Sequence, residues 1–226
     1  MANKAPKPKD NFTRNLVIAV VVGVIAIMVV PKVISSQKSN VTAAIPSSGD
    51  KAEGYGVVFN AELTGVPTVD VWEDFQCPVC QQFESLNGNY IESLITDKKA
   101  KVVFHPLSFI GQESVIAANA AACSDDEGKY IAFHKALYNN QSTTENSGKW
   151  TADYMVMLGE SIGITSSKFA SCVNKGDYAG WVTNVAQDGA KKNINSTPTV
   201  FVNGKEIDRN TDYFNEAAFK KVIGAK

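Results

Sequence analysis

The chain has 226 residues, of which 44% are hydrophobic and 20% are charged, a composition that suits one globular domain with additional segments. Lysine and arginine number 22 and aspartate and glutamate number 23, which gives a formal net charge of -1. Such a balance offers no basic surface for a phosphate backbone, so no nucleic-acid partner is expected.

An apolar run near the N-terminus predicts a membrane helix. Residues 16–30 carry no charge, and the run extends to Ile34 if the Lys32 side chain reaches outward to the membrane surface. About 19 helical residues approach the ~30 Å thickness of the hydrocarbon core. Four basic residues precede the run. We therefore expect a cytoplasmic N-terminus at 1–14, a single-pass anchor in the cell membrane at 15–34, and an extracytoplasmic remainder.

A cleaved signal peptide is the alternative for the same segment. The residues directly after the run contain no small-x-small site, and the nearest candidate, residues 41–43, lies about ten residues downstream. The anchor is therefore favoured, and in either case the cysteines are expected to meet an oxidising compartment. Residues 35–54 are rich in Ser, Lys, Asn, Gly and Ala, which predicts a flexible linker between the membrane and the domain.

Residues 55–226 predict one α/β domain. The expected strands cover residues 57–59, 68–72, 101–105, 197–202 and 205–207, the last two joined by an Asn-Gly turn. Helical spacing of apolar residues follows the first long strand, a block of helices is expected at about 112–192, and a last helix at 213–223. This order predicts a mixed sheet whose two halves flank an inserted α-helical subdomain.

The motif Cys77-Pro78-Val79-Cys80 lies where a predicted strand meets a predicted helix. The i, i+3 spacing puts both sulfurs on one helix face, and proline suits the first helical position. The helix N-terminus stabilises a thiolate at Cys77 through its free N–H groups and its dipole. We therefore assign Cys77 as the nucleophile and Cys80, one turn further on, as the resolving cysteine.

Two other uses of this motif are a zinc site and a structural disulfide. Zinc ribbons need a second close cysteine pair, and Cys123 and Cys172 are too far apart in the sequence to form one. A disulfide across so short a loop removes little entropy from the unfolded chain. No metal and no cofactor are predicted.

Thr197-Pro198 opens a late predicted strand. Proline there has no N–H to donate, and a cis bond would turn the backbone toward the Cys77 sulfur. An ordinary trans proline at a strand start is the alternative. Together with the upstream cysteine motif, the pair is assigned to the active site.

At this point the chain resembles the DsbA-like branch of the thioredoxin superfamily. The matching stretches are VDVWEDFQCPVC at 69–80, GKYIAFHKAL at 128–137 and STPTVFVNG at 196–204. The resemblance covers roughly residues 55–226 and is greatest for the membrane-tethered forms of Gram-positive and actinobacterial envelopes. It implies a thioredoxin fold with a helical insertion, and thiol-disulfide exchange on exported proteins.

The sequence departs from the family pattern at two positions. Many thioredoxin-like proteins carry a buried acid six residues before the first active cysteine, where this chain has Val71. Glu73, two residues on and so on the same strand face, is the substitute candidate, with Asp70 on the opposite face; a solvated carboxylate is the alternative. Val79 replaces the histidine of DsbA and offers no donor. We therefore expect helix-terminal N–H groups to hold the Cys77 thiolate, with a couple less oxidising than ~-120 mV.

The remaining cysteines and the two histidines are assigned structural roles. Of the three connectivities that four cysteines allow, the one that pairs Cys77 with Cys80 leaves Cys123 with Cys172, as a structural disulfide within the helical insertion. A relay role for that pair is the alternative. His105 and His134 are assigned to packing or to the surface rather than to catalysis.

The function predicted from these features is a monomeric extracytoplasmic oxidase that introduces disulfides into exported cysteine-containing proteins. The resemblance implies reoxidation by a membrane quinone-linked partner of the DsbB or VKOR type. A disulfide reductase or isomerase is one alternative. A non-catalytic thioredoxin-fold module that binds clients, or a metal at the dithiol, is the other.

Overall fold

The structure, a computed structural model, describes residues 43–225. The predicted anchor at 15–34 and the first part of the predicted linker lie outside these residues. Between residues 43 and 225, none of the helices is both long enough and apolar enough to cross a membrane.

Within the described residues, six strands form one mixed sheet in the order β1-β2-β4-β3-β5-β6. They are β1 (Gly49–Asp50), β2 (Gly56–Phe59), β3 (Thr68–Glu73), β4 (Lys101–Pro106), β5 (Thr199–Val202) and β6 (Lys205–Glu206). Strand β3 runs parallel to β4 and antiparallel to β5, so it is hydrogen-bonded on both sides. Its β-branched residues Val69 and Val71 are fully buried. The C-terminal end of β3 is therefore a rigid support for whatever follows it.

Seven helices complete the described chain. They are α1 (Pro78–Thr96), α2 (Gln112–Asp125), α3 (Tyr130–Asn139), α4 (Ala152–Ser161), α5 (Ser167–Lys175), α6 (Ala179–Lys191) and α7 (Glu216–Ile223). Helices α2 to α6 lie between β4 and β5 in the sequence and form the insertion expected at 112–192. Helix α1 packs against β4, α3 and α7, so it joins the sheet to the insertion.

Helix α2 is the centre of the insertion. Five alanines at 117, 118, 120, 121 and 122 are fully buried, and α2 packs against α3, α4, α5 and α6. Methyl side chains let these helices approach α2 closely from several directions. The alanine-rich composition of this stretch therefore gives a helix that is buried all round.

A disulfide joins Cys123 in α2 to Cys172 in α5, with the two Cα atoms 6.0 Å apart. Both residues are buried. Cys77 and Cys80 are thiols in the same structure.

The folded domain begins earlier than the sequence predicts. Residues 43–54, expected to be linker, pack on the domain: β1 pairs with β2, and Ile45 packs against the core. The Ser47 hydroxyl donates to Asp126 at 2.7 Å, and the Ser48 N–H donates to Asp125 at 2.5 Å. These partners lie almost eighty residues away, so the local composition of the segment could not reveal them.

The last helix also differs from its predicted bounds. It begins at Glu216 rather than at Tyr213, because the Asn215 side chain accepts a hydrogen bond from the Ala218 N–H and caps the helix. Tyr213 is instead buried, and its hydroxyl accepts a hydrogen bond from the Val200 N–H at 2.7 Å.

We expect removal of the Cys123–Cys172 disulfide to destabilise the domain. Closing a loop with a sequence separation of 49 lowers the entropy of the unfolded chain, which the chain-entropy estimate puts at about 4 kcal/mol. The Cys123→Ala/Cys172→Ala variant should lose free energy of unfolding of this order in urea titrations. The Cys77–Cys80 pair is kept oxidised in both wild type and variant, so that the two proteins differ only in the Cys123–Cys172 disulfide. A loss below about 1 kcal/mol would contradict the chain-entropy account.

Candidate active site

Cys77 and Cys80 lie at the start of α1 with very different environments. Cys77 is the N-cap residue and Pro78 occupies the first helical turn, as the motif predicts. Cys77 is 8% exposed, whereas Cys80 is fully buried. Pro78 and Val79 are exposed between them. A partner sulfur can therefore approach Cys77 but not Cys80.

The two thiols have opposite pKa shifts. The pKa of Cys77 is lowered to about 6, and the largest cause is a hydrogen bond from the Cys80 thiol. Burial acts in the opposite direction. Hydrogen bonds from the Thr197 side chain and from the backbone N–H groups of Cys80 and Val79 lower the pKa further. Burial raises the pKa of Cys80 well above its ordinary value, and the Cys77 thiolate raises it further. The sequence predicted helix N–H groups as the main support of the thiolate, but the second cysteine contributes more.

Thr197 and Pro198 lie beside Cys77, and the bond between them is cis. The Cys77 thiol donates to the Thr197 carbonyl oxygen at 3.6 Å, and Pro198 is buried. Arg209, which was not predicted from the sequence, also contacts this loop. Its guanidinium donates to the Pro198 carbonyl at 2.5 Å and to the Ser196 hydroxyl at 2.9 Å. Arg209 therefore holds this loop in place from the side of β6.

Glu73, at the end of β3, is fully buried, as a residue on the same face as Val71 would be. Its Oε1 atom is 2.7 Å from His134 Nε2, and its Oε2 atom accepts from the Tyr138 hydroxyl at 3.0 Å. Its negative charge contributes to the raised pKa of Cys80. The solvated alternative for Glu73 is thereby removed, and its carboxylate lies within electrostatic range of the resolving sulfur.

The histidines divide between the two faces of the sheet. His105 stacks on Trp72 with ring centroids 3.8 Å apart and faces Asp70 at 3.5 Å, which suits its assigned packing role. His134, assigned to packing or to the surface, is a buried residue, and its imidazole lies against the Glu73 carboxylate. The sequence did hold a signal for this contact. His134 lies on the apolar stripe of its helix, which predicts burial, and a buried imidazole requires a polar partner.

A second buried acid that the sequence analysis did not single out, Asp74, shapes the turn before Cys77. Its Oδ1 accepts from the Gln76 N–H at 2.9 Å and from the Ser114 hydroxyl at 2.7 Å, and its Oδ2 accepts from the Ile110 N–H at 3.1 Å. Burial raises the pKa of Asp74, and these hydrogen bonds act against that rise. The Cys77 N–H donates to the Asp74 carbonyl at 2.9 Å and closes the turn.

The loop between α3 and α4 supports the same turn. The Gln141 side-chain amide donates to the carbonyl oxygens of Phe75 at 2.7 Å and Cys77 at 3.1 Å. The Asn146 N–H donates to the Gln76 side chain at 2.7 Å. The helical insertion therefore contributes directly to the position of the nucleophile.

Glu73, Glu84 and His134 are close enough to be considered as metal ligands, because one ligand atom from each lies within 4.8 Å of the others. Glu73 faces Nε2 of the imidazole, however, whereas the Glu84 Oε2 atom faces Nδ1. Ligands must converge on one centre at about 2 Å. Here the two carboxylates lie at different nitrogens of the ring, so Glu73, His134 and Glu84 form a linear series rather than ligands around one metal ion.

Comparison with known proteins agrees with this geometry. A family model described as thioredoxin matches residues 64–223. The chain belongs to the thioredoxin family. Disulfide bond formation protein D of Bacillus subtilis is 28% identical over 151 residues, which cover 65% of this chain and 67% of that protein.

Many solved structures share the fold. The thiol-disulfide oxidoreductase MdbA of Actinomyces oris aligns with a TM-score of 0.70 and 24% identity over 83% of this chain and 94% of that one. DsbA of Mycobacterium tuberculosis aligns with a TM-score of 0.61 and 26% identity over 74% and 90% of the two chains. With its cysteine pair, cis-proline loop and insertion, this family member is a DsbA-like thiol-disulfide oxidoreductase.

We expect the Cys77 thiolate in the reduced protein to titrate near pH 6, measured by thiolate absorbance at 240 nm. Its folded pKa lies below the unfolded value of about 8.5. The thiolate therefore stabilises the reduced protein fully above about pH 8.5, and this stabilisation is lost as the pH falls through about 6.

The Thr197→Val variant tests one cause of this shift. It removes a hydroxyl that stabilises the thiolate, so its midpoint should rise. Thr183→Val is the matched control, since Thr183 is exposed on α6, and its midpoint should equal that of wild type. A wild-type midpoint near 8.5 would contradict the assigned hydrogen bonds.

Proposed function

We propose that this enzyme is an oxidase that introduces disulfides into exported proteins through Cys77 and Cys80. The observation that carries the proposal is the low pKa of Cys77 beside a buried, neutral Cys80. A thiolate that is stabilised in the reduced protein makes the reduced form the favoured one. The disulfide form then accepts electrons readily from substrate thiols.

The exposure of the two sulfurs supports a defined order of steps. A substrate thiolate attacks Cys77 Sγ, the Cys77–Cys80 bond breaks, and Cys80 leaves with the electron pair and takes up a proton. A second substrate thiolate then attacks the substrate sulfur of the mixed disulfide, and Cys77 leaves as a thiolate. The substrate loses two electrons and the enzyme gains them. Thr197 and Pro198 hold the extended substrate chain beside Cys77 during both steps.

The location and the partners of the enzyme are part of the proposal. Residues 15–34 anchor the chain in the cell membrane, with the N-terminus in the cytoplasm and the catalytic domain outside. A membrane quinone-linked reoxidase of the DsbB or VKOR type removes the two electrons after each cycle. The similarity to a Bacillus subtilis protein named for disulfide bond formation supports the oxidase role rather than the location or the partner. The enzyme acts as a monomer.

We expect the Cys77–Cys80 couple of the full-length chain to have a potential between about -200 and about -120 mV in glutathione buffers at pH 7. The low pKa of Cys77 raises the potential, and the absence of a donor at Val79 keeps it below that of DsbA. The Cys80→Ser variant is the control, because it cannot form the pair and should show no two-electron transition. A potential near -270 mV would make the enzyme a reductase and would overturn the oxidase proposal.

We expect the mature protein in the membrane fraction to retain residues 15–34, because no cleavage site directly follows the apolar run. Intact mass measurement of the purified protein checks this. A mass that corresponds to a chain beginning after residue 34 would establish a cleaved signal peptide instead.

A further inference from the structure

The imidazole of His134 lies between two buried carboxylates that come from different elements. Its Nε2 atom is 2.7 Å from Glu73 Oε1 at the end of β3, and its Nδ1 atom is 4.0 Å from Glu84 Oε2 in α1. The three side chains are 1%, 5% and 10% exposed, for Glu73, His134 and Glu84 respectively. At 4.0 Å, Nδ1 and Oε2 are not hydrogen-bonded, so a proton passes between them only when the Glu84 side chain moves closer to the ring.

The two ends of this series reach different places. Glu73 is within electrostatic range of Cys80. Glu84 lines a cavity of about 470 Å³ between α1 and α3, and His134 lines it from the other side. The Glu84 Oε1 atom is buried and has no hydrogen-bond partner among the described residues. The series therefore runs from the neighbourhood of the resolving sulfur to an opening at the surface.

A glycine in the middle of α1 makes room for the Glu84 carboxylate. A Cβ atom at Gly88 would lie 2.6 Å from Glu84 Oε2. Glycine inside a helix is less favourable than alanine, so its presence here calls for a packing reason. The position one turn after Glu84 thus leaves the space that the folded-back carboxylate occupies.

Thiol chemistry at Cys80 requires such a path. Cys80 changes between a disulfide and a neutral thiol in every cycle, so one proton must reach it or leave it each time. The side chain is fully buried, so bulk water cannot exchange that proton directly.

We propose that Glu73, His134 and Glu84 conduct the proton of Cys80 to and from the cavity between α1 and α3. The proposal rests on the thiol-disulfide exchange proposed above and extends it beyond the buried acid Glu73. When Cys80 attacks a mixed disulfide at Cys77, the Cys77–Cys80 bond forms and the partner leaves as a thiolate with the electron pair. The Cys80 proton passes to Glu73, from Glu73 to His134 Nε2, from Nδ1 to Glu84, and then to solvent in the cavity. Reduction of the disulfide uses the reverse order.

The surroundings of His134 support transfer through its ring. Burial alone lowers the pKa of His134, but the charges of Glu73 and Glu84 outweigh it and the pKa is raised. The other groups that face the ring are Phe75 after β3, Phe104 from β4, and Tyr130 and Tyr138 from its own helix. None of these four carries a charge that competes with the two carboxylates for the imidazole proton.

Glu84 is suited to accept a proton near neutral pH. Burial raises its pKa to about 7, His134 lowers it, and the charge of Glu73 raises it. The nearby Glu92 on the same cavity wall is engaged elsewhere, because it pairs with the Lys135 ammonium at 3.1 Å. Glu84 and Glu92 are thus two carboxylates on one helix, of which one faces His134.

The test separates the two chemical steps of the reduced full-length chain with oxidised glutathione. Acid quenching and mass spectrometry follow first the mixed disulfide at Cys77 and then its resolution by Cys80. We expect Glu84→Gln to leave the first step unchanged and to slow the second by about ten-fold or more. The wild-type resolution rate should rise with pH through about 7, as Glu84 ionises, and the variant should lose this rise.

Two further variants exclude a merely structural effect. Glu92→Gln removes a carboxylate from the same cavity wall without touching His134, and both of its steps should match those of wild type. Glu84→Ala should be slow in the second step and should recover in sodium formate, since the cavity admits a small carboxylate in place of the side chain.

Each outcome decides the proposal. Equal resolution rates in Glu84→Gln and wild type, equal slowing in Glu92→Gln, or no recovery of Glu84→Ala in formate would overturn the proton path and leave the exchange reaction standing. Absence of any mixed disulfide in the wild-type protein would overturn the exchange reaction itself, and the proton path with it.

Discussion

The active site depends on the buried carboxylate of Asp74, which binds three separate segments together. It accepts hydrogen bonds from the turn that carries Cys77, from the loop that follows β4, and from Ser114 in the first turn of α2. Burying an ion is costly unless each lone pair finds a donor, and here backbone and side-chain donors satisfy it. Because the donors come from the turn before α1, the loop after β4 and the first turn of α2, this carboxylate fixes the start of α1 relative to that loop and to the insertion.

The two sulfurs at the start of α1 lie close together but have opposite pKa shifts. Cys77 lies at the helix N-terminus, where donors from Cys80, Thr197 and the helix backbone stabilise its thiolate. Cys80, one turn later, lies in the apolar interface between the sheet and α1, where only the neutral thiol is favoured. The same three-residue spacing therefore yields one attacking sulfur and one that must exchange its proton through the protein.

The helical insertion contributes to this chemistry as well as covering the sheet. Gln141 supports the carbonyl oxygens around Cys77, and Tyr138 and His134 satisfy the buried Glu73. The insertion is itself rigid, since it is built around the alanine-rich α2 and joined by the Cys123–Cys172 disulfide. A displacement of α3 would thus alter the hydrogen bonds of Glu73 and, through them, the electrostatic environment of Cys80.

The sequence by itself determined the strand-helix-strand frame, the inserted helices and the cysteine motif, because periodicity, β-branched strands and the spacing of Cys77 and Cys80 are local signals. It offered Glu73 as a candidate buried acid but left a solvated carboxylate open, and only the structure shows that Glu73 is buried. It could not identify His134 as the partner of Glu73, Gln141 and Arg209 as supports of the site, or residues 43–54 as part of the domain. The hydrogen bonds behind these assignments join residues 11 to 79 positions apart. The packing of α3 and its following loop brings His134 and Gln141 to the end of β3, whereas Arg209 and residues 43–54 reach their partners from other parts of the chain. The tertiary structure thus decided which buried groups are hydrogen-bonded to each other. Burial and the position of the partner, rather than the residue type alone, set the pKa of each group.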